Sequence, residues 1–239
     1  MLNKSSLLQL TEHRPYPLTG KNWIYYQEWH DVVLAHWKIP AEKLRALIPE
    51  SLTLDLYEGE AWISLTAFTV KKLRPRFIPP FPPLSNFHEI NTRTYVVHKN
   101  KPGIYFLSVE AQKKISVWLS RTITGIPYVK SQMNRAGHFI QSTSDNAQYV
   151  FKASFVPGQI TPKIFLDKWL TERYCVYNTK QNQLYSYDIH HAEWPLQNAS
   201  LRITDMHYQL GDFRMEKGLA DRIHFAKELK VLIWPRQML

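Results

Sequence analysis

One cysteine, Cys175, in 239 residues excludes an intramolecular disulfide, and the first twenty residues lack the apolar core of a signal peptide. Both observations point to a reducing cytoplasm. Nowhere does an apolar run approach the roughly 20 residues that cross a bilayer, so neither a spanning segment nor a membrane partner is expected. Carboxylates are outnumbered, 20 against 30 Lys and Arg, which leaves a net charge of +10. Such an excess attracts phosphates non-specifically. The cations are nevertheless scattered, and no nucleic-acid-binding motif accompanies them, so specific nucleic-acid recognition is not expected. Also missing are a Gly-x-Ser-x-Gly elbow, a phosphate-binding glycine loop and a dinucleotide fingerprint. Their absence argues against nucleotide-dependent chemistry, and no cofactor is expected. No break in composition divides the chain, which reads as a single domain over residues 1–239.

What is present is mostly strand. Residues 62–70 alternate apolar with small or polar side chains, and 92–98 and 104–110 are rich in β-branched and aromatic residues. Lys101-Pro102-Gly103 supplies the expected turn between the last two. Residues 137–143 and 148–155 read as another hairpin, with further strands over 173–178, 184–190 and 229–234. Helical signals are short. Pro40 opens an amphipathic helix to Ile48, with Leu44, Leu47 and Ile48 on one side. Residues 112–124 set Ile115, Trp118, Leu119 and Thr122 at helical spacing before Gly125 and Pro127. A third helix, 162–171, carries Phe165, Leu166, Trp169 and Leu170 on its apolar side, and a fourth is expected near 215–226. Many strands with a few short helices predict an α+β, mainly β fold, with curved antiparallel sheets closing into a barrel or cone.

Glu89, Asn91, Arg93 and Tyr95 share one face of the strand that begins at Glu89, because side chains alternate with period two. On an exposed face they would be a sheet edge carrying a weak surface pair. On an interior face Glu89 and Arg93 would have to be paired and hydrogen-bonded, and a polar cavity would follow. Periodicity does not choose between the two, and structural pairing is the favoured reading. No metal centre is expected. His88-Glu89 lacks the second histidine of a His-Glu-x-x-His site, and His190 and His191 would point to opposite faces of a strand. His36, beside Trp37, reads as a hydrogen-bonded structural histidine, and Cys175 as a buried inert thiol. Glu172-Arg173 reads as a charged pair anchoring the third helix to the sheet. Residues 74–86, too proline-rich for helix or central strand, would either fold across a barrel mouth as a lid or serve as a passive crossover.

Seven blocks of the chain resemble the YqjF-like family of uncharacterised bacterial proteins: 27–37, 47–55, 87–96, 102–106, 126–128, 170–174 and 190–197. Their number and order cover most of the chain, and the resemblance implies the acetoacetate decarboxylase-like fold, a β-rich cone around a central cavity. The stretch Arg121-Thr-Ile-Thr-Gly125-Ile-Pro127-Tyr128-Val129 also resembles the segment that leads to the catalytic lysine pair of acetoacetate decarboxylases. In those enzymes one lysine becomes a Schiff-base nucleophile because its cationic neighbour and apolar surroundings depress its pKa. Here Tyr128 and Val129 stand at the two lysine positions. A tyrosine forms no imine, and at neutral pH it is a hydrogen-bond donor or general acid. Lys130, two residues past Tyr128, reads as solvated.

The resemblance marks Glu89, Arg121 and Tyr128, and the shared strand face adds Asn91, Arg93 and Tyr95; Glu89 and Tyr128 are the catalytic candidates and Arg93, Tyr95, Arg121 and Asn91 the substrate-binding ones. Glu89 would exchange a proton, Arg93 and Arg121 would hold a carboxylate, and Tyr128 would donate to a carbonyl oxygen. The expected function is binding, or transformation without a Schiff-base lysine, of a small organic acid or carbonyl compound. The alternative is a non-catalytic small-molecule-binding or protein-interaction domain that retains the fold. Homo-oligomerisation stays open, as does whether Arg121 faces the cavity or a partner subunit.

Overall fold

The computed structural model describes residues 4–20, 22–113, 126 and 128–239. In chain order the elements begin with α1 (Lys4–Gln9), β1 (Tyr25–Ile39), α2 (Ala41–Arg45), β2 (Thr53–Leu54), β3 (Ala61–Pro75) and α3 (Pro82–Ser85). There follow β4 (Phe87–His98), β5 (Lys101–Ala111), β6 (Tyr128–Lys130), β7 (Gln132–Ala136), β8 (Phe139–Ser144) and β9 (Tyr149–Ile160). The chain ends with α4 (Phe165–Thr171), β10 (Cys175–Lys180), β11 (Gln183–His190), β12 (Gln197–Leu210), β13 (Phe213–Glu216), β14 (Arg222–Ile233) and β15 (Gln237–Met238). The fold is mainly β, as the alternation predicts.

All fifteen strands join one sheet, whose main path runs β15-β11-β10-β5-β4-β3-β1-β14-β12-β9-β8-β7. A second pairing of β11 with β14, at Ile189–Ile233 and His190–Leu232, closes seven of these strands partly into a ring. The sheet is mixed rather than purely antiparallel, since β5 pairs parallel with both β10 and β6. The parallel approach of β10 explains Gly103. A Cβ there would sit 2.7 Å from the Cys175 carbonyl oxygen and from the Tyr177 ring, so only glycine lets the two strands meet. Gly103 therefore belongs to a strand interior. The β4–β5 turn falls two residues before the expected one, at Lys99-Asn100, where both φ angles are positive (48° and 64°), as a two-residue hairpin requires.

Strand β1 divides the molecule into two cores. Tyr25, Gln27 and Trp29 face the inside of the ring, and then Asp31 adopts φ 50° and the register with β3 slips between His30 and Val33. This bulge reverses the parity. Beyond it the even residues Val32 and Leu34 pack into the core that contains the ring interior. Val33, Ala35 and Trp37 pack into a second core against Phe151, Phe155, Met206 and Tyr208 of β9 and β12. Strand β3 is split in the same way, with Trp62, Phe68 and Val70 on one side and Ile63, Leu65 and Ala67 on the other. Because both faces are covered, these strands read as long apolar runs.

The helices are shorter than the sequence suggests. Pro40 precedes α2, which ends at Arg45, and α4 begins only at Phe165. Phe165 itself is exposed rather than on the packed side; Asp167, Leu170 and Thr171 are the buried residues of α4. The helix expected near 215–226 is instead the end of β13, a connection with Leu219 in solvent, and the start of β14. Eleven residue pairs with β1 fix β14 as a strand, a long-range preference that outweighs local helical spacing. The helix expected over 112–124 lies, apart from its first two residues, outside the described residues. Among the described residues no helix is long and apolar enough to cross a membrane.

Candidate functional site

Strand β4 builds the site. Its odd-numbered residues face the inside of the ring, and Phe87, Glu89, Asn91 and Arg93 line a cavity of about 390 Å³. Two residues of strand advance about 6.6 Å, so Glu89 and Arg93 stand roughly 13 Å apart along the strand, with Asn91 between them. The mouth lies beside Phe87, where Pro75, Ile78, Phe81 and Leu84 of the 74–86 connection join the lining. That connection contains the one-turn helix α3 despite its prolines, because Pro82 occupies a first-turn position that needs no N–H donor. At the other end Tyr95 lies beneath the floor, outside the lining itself. Its ring packs on Trp169 at 4.5 Å, and its hydroxyl donates to the Leu170 carbonyl at 3.0 Å and shares a 2.5 Å hydrogen bond with Ser64. Tyr95 thus supports the cavity from behind, with its hydroxyl already engaged.

Glu89 carries the buried carboxyl of this face. It accepts hydrogen bonds from Asn91 Nδ2 at 3.2 Å and from the Tyr128 hydroxyl at 3.1 Å. Parallel pairing of β6 with β5, Tyr128 opposite Val109, brings the tyrosine to this place. Burial pushes the Glu89 carboxyl up to about 7, against the pull of the two hydrogen bonds, so it changes charge near neutrality.

Arg93 is buried, but the expected pairing with Glu89 does not occur. The carboxylate is satisfied locally by Asn91 and Tyr128, and the extended strand holds the guanidinium too far away. Arg93 makes no ion pair among the described residues; burial lowers its pKa, and its Nε has no hydrogen-bond partner. Arg173, two residues past the end of α4, also lines the cavity. Asp55 holds one end of that guanidinium at 2.5 Å, the Trp169 carbonyl accepts from its Nε at 2.6 Å, and Trp169 and Tyr95 pack against its plane. Its Nη2 is left without a hydrogen-bond partner among the described residues. Glu172 does not pair with Arg173 but with Lys163 at 2.9 Å, so each member of the expected pair has its own anchor.

Orphaned polar atoms accumulate around this cavity. Thr66 Oγ1, Asn91 Oδ1, Arg93 Nε and Arg173 Nη2 are buried without a hydrogen-bond partner among the described residues, and all belong to lining residues. An unmade buried hydrogen bond costs about 1–3 kcal/mol. Four around one void give its lining unused hydrogen-bonding capacity. Sequence reading finds Glu89, Asn91, Arg93 and Tyr128 but misses Arg173 as a lining residue, along with Tyr187, His191 and Trp194. Those four come from the far side of the ring, and no periodicity links them to β4. His191 is neutral there, because burial lowers it to about 4.

No lysine lines the cavity among the described residues, and Lys130 is exposed. Arg121 lies outside the described residues. His36 sits in a buried network behind the floor, joined to Tyr95 through Ser64, which it meets at 2.6 Å, and bonded to His224 at 3.2 Å; His224 reaches Asp167 at 2.9 Å. Glu28, His30 and Glu228 bring possible metal-ligating atoms within 4.8 Å of one another. Glu28 already accepts from Tyr26, His30 and Lys72.

Comparison with known proteins agrees with this architecture. The model of the family DUF2071, described as an uncharacterized conserved protein, matches residues 26–230. The uncharacterized protein YqjF of Bacillus subtilis strain 168 is 41% identical over 226 residues, 89% of this chain and 91% of that protein. Among solved structures, an acetoacetate decarboxylase-like enzyme from Sphingomonas wittichii RW1 superposes with a TM-score of 0.61 at 13% identity, covering 93% of this chain and 96% of its own. The enduracididine biosynthesis enzyme MppR, complexed with pyruvate, gives 0.60 at 10% identity, covering 94% and 93%. At such identities these likenesses concern the fold.

Proposed function

The chain belongs to the DUF2071 family, and we propose that its cavity binds a small organic acid or carbonyl compound and moves a proton on it without a Schiff-base lysine. The observation that carries this reading is the buried Arg93, which has no carboxylate partner among the described residues and shares its cavity with a carboxyl that titrates near 7. A buried guanidinium left unpaired is costly, and a ligand carboxylate would relieve the cost through charge-assisted hydrogen bonds. Arg173 Nη2 offers a further donor. Pyruvate in the MppR complex is a ligand of this chemical kind in a protein of similar fold.

With its carboxylate on Arg93, a ligand several bonds long reaches up β4 toward Glu89 and Tyr128. Ionised Glu89 would accept a proton from the carbon next to the ligand carbonyl, and the Tyr128 hydroxyl, released from the carboxylate as it protonates, would donate to the developing enolate oxygen. Glu89 exchanges its proton with solvent and returns one to the same face of the carbon, so deuterium enters the ligand in D2O. A screen of keto acids by thermal shift, followed by deuterium exchange of the hit in D2O, tests both steps. Arg93→Met should abolish the thermal shift, and Glu89→Gln should keep binding while stopping exchange. Exchange at the wild-type rate in Glu89→Gln removes Glu89 from the mechanism.

The second reading is a non-catalytic binding domain, favoured by Tyr128 standing where related enzymes carry a lysine and by a described lining without lysine. It predicts Arg93-dependent binding with no exchange in the wild type.

A further inference from the structure

The cavity mouth carries a surface that small-acid binding leaves unused. From Lys71 to His88 the chain has four cations, Lys71, Lys72, Arg74 and Arg76, and no carboxylate of its own; Lys72 is held by Glu28 at 3.0 Å, which leaves Lys71, Arg74 and Arg76 for an outside anion. Within five residues of this stretch Phe77, Ile78 and Phe81 are 88%, 56% and 61% exposed. Single apolar side chains on a surface are ordinary, whereas a contiguous group ringed by charge marks an interaction site. The backbone is built to keep them outward. Pro79, Pro80, Pro82 and Pro83 restrict it, and the Leu84 and Ser85 N–H groups both donate to the Phe81 carbonyl, at 2.9 and 2.8 Å.

The surrounding cations are positioned as well. Arg74 lies over the Tyr26 ring at 4.2 Å, Arg76 over Trp23 at 5.0 Å, and Lys113 Nζ donates to the Pro83 carbonyl at 3.0 Å. Arg236, over Tyr185 at 4.5 Å, stands on the rim of the same cavity. Ile78 and Phe81 themselves line the mouth, so the apolar surface is continuous with the cavity wall.

We propose that this loop docks the cavity mouth onto an anionic lipid surface, with Phe77, Ile78 and Phe81 in the boundary between headgroups and acyl chains and the cations against lipid phosphates. Apolar insertion and electrostatic attraction to anionic lipid act together in such binding, and neither needs a segment that spans the bilayer. Charge decides against a second copy of the chain as the occupant, because two like molecules meeting at this face would press two positive rims together in a protein of net charge +10. Docked in this way, the cavity opens toward the bilayer instead of bulk water, and apolar-tailed acids dissolved in the membrane gain access to it.

The test is cosedimentation of the full chain with vesicles of phosphatidylcholine alone and of an equal mixture with phosphatidylglycerol. Binding to the mixed vesicles should exceed binding to phosphatidylcholine by roughly tenfold or more and should weaken in high salt. Phe77→Asp/Phe81→Asp should lose it, and so should Lys71→Glu/Arg76→Glu, each checked for an unchanged melting temperature. Failure of the wild type to bind mixed vesicles at low salt overturns the proposal. So does undiminished binding by the folded phenylalanine variant, since attraction would then rest on net charge alone. A dimer in sedimentation equilibrium that the phenylalanine variant dissociates, without vesicle binding, would assign the face to a second copy and equally overturn it.

Discussion

Replacing Glu89 by Gln should stabilise the protein in a pH-dependent way. Burial moves this carboxyl from its ordinary 4.5 to about 7 in the fold. Below 4.5 it is protonated in both the folded and the unfolded chain and has no effect on stability beyond its contacts. Between 4.5 and 7 the unfolded chain is ionised and the folded one is not, so unfolding releases a proton and rising pH favours it. The loss is about 1.4 kcal/mol per pH unit across that window, on the order of 3 kcal/mol in total by pH 8. Gln keeps the shape without the charge, its amide oxygen on Asn91 and its NH2 on the Tyr128 hydroxyl oxygen. Urea unfolding of both proteins at half-unit steps from pH 5 to pH 8 measures the difference, which should rise across this range and level off above 7. Glu110, also raised by burial, lies on the opposite face of the sheet and contributes the same trend to both proteins, so it cancels. In melting temperature the gain at pH 8 corresponds to roughly 6–12 °C. A difference that stays flat from pH 5 to pH 8 would refute the placement of Glu89 in a water-poor cavity.

Arg93→Met should leave the ligand-free protein as stable as wild type or more stable by about 1–3 kcal/mol, because it removes a buried cation without a carboxylate partner. A large loss of stability in denaturant titration would mean that the guanidinium is paired after all. Asp167→Asn should destabilise by about 2–4 kcal/mol, since it removes the charge opposite Arg222 and leaves one acceptor oxygen where the carboxylate accepts from Arg222 at 2.8 and 2.9 Å, from the Ile164 N–H and from His224. Burial alone would raise the Asp167 pKa, but the bonds from Arg222, Ile164 N–H and His224 together lower it. Its contribution is therefore present above about 3.8 and disappears as the pH falls through the lowered value, which acid titration of the two proteins compares. Cys175 should resist a thiol reagent in the native state and react only on unfolding, because it is buried and its thiol is pushed up to about 12; rapid native-state modification would contradict its burial.

The polar face of β4 is legible in sequence because it follows a strict period of two across Glu89, Asn91, Arg93 and Tyr95. Periodicity does not say which face is inside. That is decided by β1, which continues the sheet as one wall of the ring and whose own sequence gives no single alternation, because the bulge at Asp31 reverses its parity midway. The misplaced β4–β5 turn has a similar cause: Pro102 and Gly103 carry the strongest local turn signal, yet the glycine answers to the approach of β10, more than seventy residues later in the chain. The segment near 215–226 has helical spacing and becomes strand because β1 supplies a partner along its length. Arg173 is the most consequential omission. Read locally it is half of a Glu172-Arg173 pair, and only the fold separates the two, sending Glu172 to Lys163 and turning one edge of the guanidinium toward Arg93 and the cavity. Local pattern thus identifies residues that share a strand with Glu89, whereas those facing it across the void depend on ring closure between β11 and β14, two residue pairs long and invisible to any sequence window. Two arginines are buried here on different terms: Asp55, Trp169 and Tyr95 converge on Arg173 from three separate parts of the chain, whereas Arg93 has no carboxylate partner among the described residues.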